Sequence, residues 1–312
     1  MLPLYKIVSI HWGNIVSNQL TIGIPKGSLE ESTLSLFAKA GFRFYGSDRS
    51  FWLTSNDPEL KPVLLRPQEI PLYVANGELD CGLAGWDWII ENSCDEQIRM
   101  LADLCYSKRS FRPVRWVLAV SNESSFRDVN ELKTIDPPIR ISTELKMVTE
   151  SWLSERGIIA DVSFSWGATE AKVPVFADAI VECTETGVSL LANGLRILDT
   201  VLYSTTRFFA NKKVYKSSDW KRGKLDGIAL LLKSCLVAET KTSLHAQVPN
   251  SEIEIVKALI PSEANFSVWE GQEEVMLLEI IIDKDKSREL VPVLARNGAR
   301  KISLTSLGML YE

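Results

Sequence analysis

Residues 177–195, ADAIVECTETGVSLLANGL, decide how the chain is read. Ala179, Ile180 and Val181 form an apolar run that ends on the acidic Glu182, the pattern of a buried strand reaching a polar edge. A turn with a central glycine follows, Thr184-Glu185-Thr186-Gly187-Val188-Ser189, and a brief helical stretch stops at Asn193-Gly194. Such a turn gathers several backbone N–H groups with the hydroxyls of Thr184, Thr186 and Ser189, which is how proteins hold a terminal phosphate. Each hydrogen bond to a charged group contributes about 1.5–3 kcal/mol, so a handful would anchor a substrate. An acidic residue at the strand end suits the two hydroxyls of a ribose attached to that phosphate. The same residues also fit a plain strand–turn–helix joint with a capping threonine and glycine, and composition alone leaves both readings open.

The unit recurs on either side. The spacing predicts a strand at 20–24, broken by Pro25-Lys26-Gly27, then a helix opened by a Ser28/Glu31 capping box and stopped at Gly41. Strands at 63–65, 79–84, 114–120, 140–143, 162–166 and 195–202 are interleaved with helices at 67–76, 86–92 and 148–156, with Pro67 suited to a first helical turn. That βαβ alternation predicts mainly parallel, doubly wound sheets. Beyond residue 224 the rhythm changes to a helix at 225–239, then strand 243–248, helix 252–259, strands 265–269 and 275–282, helix 286–297 and strand 301–305. The order βαββαβ is that of a ferredoxin-like domain. The polar stretch SSDWKRGK (217–224) predicts a linker, with a boundary near 222–226.

Composition limits the possible functions. A chain of 312 residues exceeds one ordinary core and predicts two or three domains. With 46% apolar and 24% charged residues it is globular. A net charge of −5 lacks the basic face that nucleic-acid binding needs, while small anionic substrates need only a few local cations. The cysteines Cys81, Cys94, Cys105, Cys183 and Cys235 are scattered and never spaced as C-x-x-C, which predicts free buried thiols. No apolar run approaches the ~18 residues of a membrane span. The leader 1–19 lacks a small-residue cleavage site, so the cytoplasm is the expected location. The only histidines are His11 and His245, a poor supply for Ser-His-Asp or Cys-His chemistry.

Four blocks carry more specific information: IGIPKGSLEE (22–31), LLRPQEIPLYVANGELDCGLAGWDW (64–88), WGATEAKVP (166–174) and the opening segment. In this order and at these separations they resemble ATP phosphoribosyltransferase, the first enzyme of histidine biosynthesis. The C-terminal βαββαβ unit resembles the extra domain of its long form. The resemblance implies two α/β domains of periplasmic-binding-protein type with a central cleft, the chain crossing between them twice, plus the ferredoxin-like domain. It divides the chain into the leader, 20–113 with 204–223, 114–203 with the loop, and 224–312 as a regulatory domain.

The implied reaction joins N1 of ATP to C1 of phosphoribosyl pyrophosphate (PRPP), with Mg²⁺ as cofactor. Glu182 would meet the ribose hydroxyls directly or through the metal, with Thr184, Glu185, Thr186, Gly187, Val188 and Ser189 around the 5′-phosphate. Lys26, Gly27 and Ser28 would face pyrophosphate or nucleotide phosphates, Arg49 and Arg66 would be nucleotide-side cations, and Glu170 would line the cleft; Glu182 and Lys26 would act in catalysis. Histidine inhibition and a homo-hexamer are implied as well. Two positions depart from the family pattern. Ser28 stands where many members carry a basic residue, and Glu182 stands where aspartate is usual. The competing readings are a solute-binding or sensor protein of the same cleft fold, and a phosphoribosyltransferase for another base.

Overall fold

The computed structural model describes residues 18–47, 49–106, 113–272 and 274–311; nearly all of the expected leader, His11 included, lies outside the described residues. The chain begins with β1 (Leu20–Pro25), α1 (Glu30–Lys39), the short pair β2 (Phe44–Tyr45) and β3 (Thr54–Ser55), β4 (Leu60–Leu65), α2 (Ile70–Asn76), β5 (Cys81–Gly85), α3 (Trp86–Glu91) and β6 (Ile98–Leu104). It continues through β7 (Val114–Ser121), β8 (Ile139–Thr143), α4 (Lys146–Glu155), β9 (Ala160–Phe164), β10 (Ala179–Thr184), α5 (Val188–Ala192) and β11 (Leu195–Ser204). After β12 (Thr206–Asn211) come α6 (Lys212–Ser217) and α7 (Asp219–Thr240). The last part is β13 (Lys241–Pro249), α8 (Ile253–Ala258), β14 (Asn265–Glu270), β15 (Val275–Asp283), α9 (Lys284–Arg296) and β16 (Arg300–Ser306).

Two five-stranded sheets share one topology. The first is ordered β4-β1-β5-β12-β6 and the second β9-β8-β10-β7-β11. In each, one strand runs against the other four: β12 is antiparallel to β5 and β6, and β7 to β10 and β11. These two strands follow the crossings of the chain, from β6 into β7 and from β11 into β12. The remaining strands are parallel, as the βαβ alternation predicts. The third sheet, β14-β15-β13-β16, is antiparallel throughout and has the ferredoxin-like order. The protein therefore has two α/β lobes of periplasmic-binding-protein type and a third, ferredoxin-like unit.

Each sheet buries its own apolar set. Ile22, Leu83 and Phe208 pack with Phe37 of α1 on one face of the first sheet, while Ile70, Ile89 and Phe209 fill the other. Leu118, Ile141 and Val181 centre the second sheet with Trp152 of α4, and Leu244, Ile280 and Leu294 centre the third.

Four sequence expectations need correction. Residues 217–224 are not a linker, because most of them form the first turns of α7, capped by Ser218 on the Lys221 amide at 3.1 Å. Those turns are polar because they dock through ion pairs, Lys221 to Asp80 at 2.7 Å and Lys224 to Glu59 at 2.7 Å. The apolar stripe Leu225, Ile228, Leu232 and Cys235 then joins the core of the first sheet, so the third unit begins at β13. Ser28 does not cap α1; the Glu30 carboxylate takes the Gly27 amide at 3.2 Å instead. Pro67 precedes α2, and Pro71 occupies its first turn. Gly41 and Gly77 do stop their helices, with φ of +92° and +85°. Among the described residues no helix is long and apolar enough to cross a membrane.

Candidate active site

In open α/β sheets ligands bind beyond the carboxyl ends of the parallel strands. Most of the candidate residues lie at such ends. Lys26, Gly27 and Ser28 follow β1, Arg66 follows β4, and the loop 185–187 follows β10. The carboxyl ends of β5 and β10 are neighbours. Trp116, which pairs with Cys183 in the second sheet, donates its indole N–H to Asp87 at 2.6 Å, and Cys183 itself is exposed rather than buried as expected. Asp87 opens α3 after β5, and Cys183 is the penultimate residue of β10.

The loop after β10 is rigidly built. Gly187 sits at φ +80°, a conformation that costs other residues about 1–2 kcal/mol. Its amide donates to Thr184 Oγ1 at 2.7 Å, so Thr184, which is buried, closes the turn from within. The helix that follows has only five residues, and Leu191 makes its first intrahelical bond, to the Gly187 carbonyl at 3.0 Å. The amides of Val188, Ser189 and Leu190 thus have no intrahelical acceptor. Ser189 Oγ donates to Glu170 Oε1 at 2.8 Å, tying the loop to the short 3-10 turn Thr169–Lys172. Glu185 and Thr186 form the tip of the loop, and Thr186 is exposed.

Glu182 stands beside this turn. Its Oε1 accepts the Cys183 amide at 2.9 Å. Burial pushes the carboxyl above its ordinary range; the Cys183 amide and then the polar Thr169 side chain pull it back, while Glu170 and Glu144 push it further up. The second lobe therefore offers neutral donors and carboxylates to the cleft.

The first lobe offers cations. The Lys26 ammonium lies 4.5 Å from the centre of the exposed Phe51 ring, and Arg49 and Arg66 are exposed. Gly27, at φ +101°, has open space around it, which suits close approach of a phosphate once Glu30 releases its amide. Ser28 is exposed and makes no helix cap.

Sequence reasoning missed the residues that join the lobes. The Asp87 carboxylate accepts the Trp116 indole N–H at 2.6 Å and the Trp88 amide at 2.9 Å, and the Asp87 amide donates to Ser204 Oγ at 3.1 Å. Trp116 and Ser204 belong to the strands that flank the two crossings, so this buried residue holds the hinge. Burial pushes the Asp87 carboxyl above its ordinary range against the pull of those two donors. Glu91 reaches from α3 to the amides of Met147 and Val148 at 2.9 and 3.0 Å, capping α4 of the other lobe. The acid inside GLAGWDW, directly after a strand-ending glycine, was the signal available for Asp87.

A cavity of about 810 Å³ lined by Phe126, Pro137, Arg140, Asp161 and Asp178 lies at the amino ends of β8 and β9, away from Glu182. Among the described residues no group of three or more His, Cys, Asp or Glu side chains forms a metal site. His245 lies on β13, where Nε2 meets Ser243 Oγ at 3.0 Å, outside the cleft.

The family profile described as ATP phosphoribosyltransferase matches residues 66–234. The chain belongs to this family. An ATP phosphoribosyltransferase of Thermodesulfovibrio yellowstonii is 47% identical over 90% of this chain and 94% of its own length. One of Chlorobium phaeobacteroides is 45% identical over 95% and 99%. A solved chain of the ATP phosphoribosyl transferase (HisG:HisZ) complex from Thermotoga maritima superposes with a TM-score of 0.60 at 24% identity, covering 71% of this chain and 99% of that one; this likeness concerns the fold. The family makes the chain a transferase of histidine biosynthesis.

Proposed function

We propose that the cleft between the first and second lobes transfers the phosphoribosyl group of PRPP to N1 of ATP, releasing pyrophosphate. The observation that supports the residue assignment is the loop after β10, which begins two residues beyond Glu182 and whose helix-opening amides of Val188, Ser189 and Leu190 have no intrahelical acceptor. The loop, residues Thr184 to Ser189, takes the 5′-phosphate, with Thr184 and Gly187 setting its shape. Glu182 accepts the ribose hydroxyls. Lys26 and Gly27 meet the departing pyrophosphate, with Ser28 beside them. Arg49 and Arg66 meet the phosphates of ATP, and Glu170 holds Ser189.

No strong base is required, since N1 of adenine already carries a lone pair. Among the described residues the one histidine, His245, correspondingly lies outside the cleft. Its contribution is to hold N1 in line with C1 and to place cations where negative charge gathers on the leaving group. The oxygen-only donors at the second lobe's edge, Glu182 and Glu170, fit a hard cation that keeps most of its ligands on substrate and water. Mg²⁺ bound there would neutralise pyrophosphate charge.

The third unit is the seat of histidine inhibition, and the chain works in the cytoplasm as a homo-oligomer, a hexamer by family likeness. Incubation with ATP, PRPP and Mg²⁺ tests the central proposal. Appearance of the phosphoribosyl-ATP chromophore with matching pyrophosphate release is expected, and no turnover with ATP, or turnover with a free nucleobase instead, overturns it. Insensitivity to millimolar histidine would remove the regulatory assignment alone.

A further inference from the structure

Trp166 opens the block WGATEAKVP and is 93% exposed, more than any other large apolar side chain among the described residues. Its ring meets that of Phe164, itself exposed, edge-on with 4.8 Å between centroids. Leaving so much aromatic surface in water is unfavourable. The backbone that follows is strained as well: Gly167 sits at φ +121°, and Ala168, which carries a Cβ, at φ +49°. Strain of this kind persists only where surrounding bonds over-determine it, and it gathers at ligand clamps. Here those bonds converge on Ser165, which is 0% exposed. Its amide donates to the Thr143 carbonyl at 2.8 Å, and its hydroxyl meets Thr169 Oγ1 at 2.8 Å and accepts the Lys172 ammonium at 2.6 Å. Trp166 is an exposed ring on a fixed base.

The topology puts that base at the mouth of the cleft. Counted from the hinge strands outward, the two sheets match, β5 with β10, β1 with β8 and β4 with β9. The outermost pair is therefore β4 and β9. Arg66 follows the one and Trp166 the other, each beyond a carboxyl end. Two hydrogen bonds also tie this base to the loop after β10, Ser165 with Thr169 at 2.8 Å and Ser189 with Glu170 at 2.8 Å. The ring thus shares an edge of the lobe with the loop, two strands farther from the hinge. An indole has no charge to offer a phosphate, and its face favours another flat π-system. PRPP contains no planar ring, and ATP contains one, its adenine.

We propose that Trp166, braced by Phe164, is the stacking platform for the adenine of ATP. The proposal rests on the reading of the cleft given above, in which Arg49 and Arg66 meet the phosphates of ATP from the first lobe. The nucleotide then spans the mouth, with its base on the second lobe and its phosphates on the first. Its N1 edge is presented towards the ribose beside Glu182. The ring contributes affinity and orientation, and takes no proton in the reaction.

Trp166→Ala and Trp166→Leu should each raise KM for ATP about tenfold, within the weight of one stacked base. KM for PRPP and the melting temperature should change little, and Trp166→Phe should recover most of the loss. Inorganic tripolyphosphate, which competes with ATP through the cations alone, should inhibit the parent protein and all three variants equally. Binding of ATP should quench tryptophan emission in the parent protein and clearly less in Trp166→Phe. Leucine serving as well as phenylalanine, equal losses for ATP and tripolyphosphate, or an unchanged KM for ATP in Trp166→Ala would each overturn the proposal. A change of assembly size in sedimentation with ATP binding unaltered would overturn it too, assigning the ring to a contact between copies of the chain. Arg66→Ala and Glu182→Ala separate the two levels. If neither alters the KM of its own substrate, the reading of the cleft falls and this proposal with it. If both do and Trp166→Ala does not, only the role of Trp166 falls.

Discussion

On the second lobe's side of the cleft, Thr184 and Ser189 already have protein partners, the Gly187 amide and Glu170. On the first lobe's side Arg66 is exposed and Lys26 rests over a phenyl ring. On the proposed assignment the two sides solve different problems. A ribose 5-phosphate has a fixed shape, and neutral donors set in advance recognise it at little cost in ordering. A nucleotide triphosphate and a departing pyrophosphate carry much charge with little fixed shape. Long cations suit them, at the cost of immobilising flexible side chains when they bind. Specificity should therefore reside in the second lobe and charge neutralisation in the first.

The sharpest way to break that contrast is Glu182→Ala. It removes the acceptor for two ribose hydroxyls, and kcat/KM for PRPP should fall about 10²–10³-fold with KM for ATP nearly unchanged. Equal losses for both substrates would mean that the carboxylate serves the whole cleft. Gly187→Ala should act on the same side more weakly. Its Cβ would lie 3.5 Å from Ile197 Cδ1, an ordinary contact, so the penalty comes from the positive φ. A strain of about 1–2 kcal/mol shifts the loop amides and should raise KM for PRPP roughly tenfold. On the other side, Arg66→Ala should raise KM for ATP only about three- to tenfold, because an exposed cation contributes modestly. If steady-state kinetics showed Arg66→Ala to be costlier than Gly187→Ala, the division of labour would be reversed.

The loop and its strand were legible in the sequence because backbone demands mark them: an apolar run for β10, and glycines at 187 and 194 with φ of +80° and +70°. The strand β12 was not legible. It begins at Thr206, with only Thr205 between it and the end of β11 at Ser204, so no turn residue announces that the chain has changed sheets. The strand β6 was hidden by Arg99 and Asp103 inside its run. The first turns of α7 looked like a linker because Lys221 and Lys224 meet their partners, Asp80, Asp57 and Glu59, only after folding. Polar networks fail in the same way. Lys172 sits inside a quoted block, yet its partners Ser142 and Ser165 come from the ends of β8 and β9. Periodicity reports burial of apolar faces and says nothing about which hydroxyl a distant ammonium will find.

The hinge between the two sides gives the smallest and most specific expectation. Asp87→Asn would present an amide N–H₂ to one of the two donors that now meet the carboxylate, leaving a buried donor without an acceptor at about 1–3 kcal/mol. Thermal unfolding at one pH should detect this as a melting temperature lower by several degrees. The pH dependence says more. Burial raises the Asp87 carboxyl in the folded protein, so the folded state holds this proton at pH values where the unfolded chain has released it. The carboxyl's contribution is then fully present below the unfolded value, near 3.9, and is lost as pH rises through the folded value. The difference in stability between the parent protein and Asp87→Asn should therefore shrink as pH rises from 4 towards 7. A difference that grows over that range would show the two donors outweighing burial, making Asp87 an ionised clamp whose charge holds the Trp116 strand to α3.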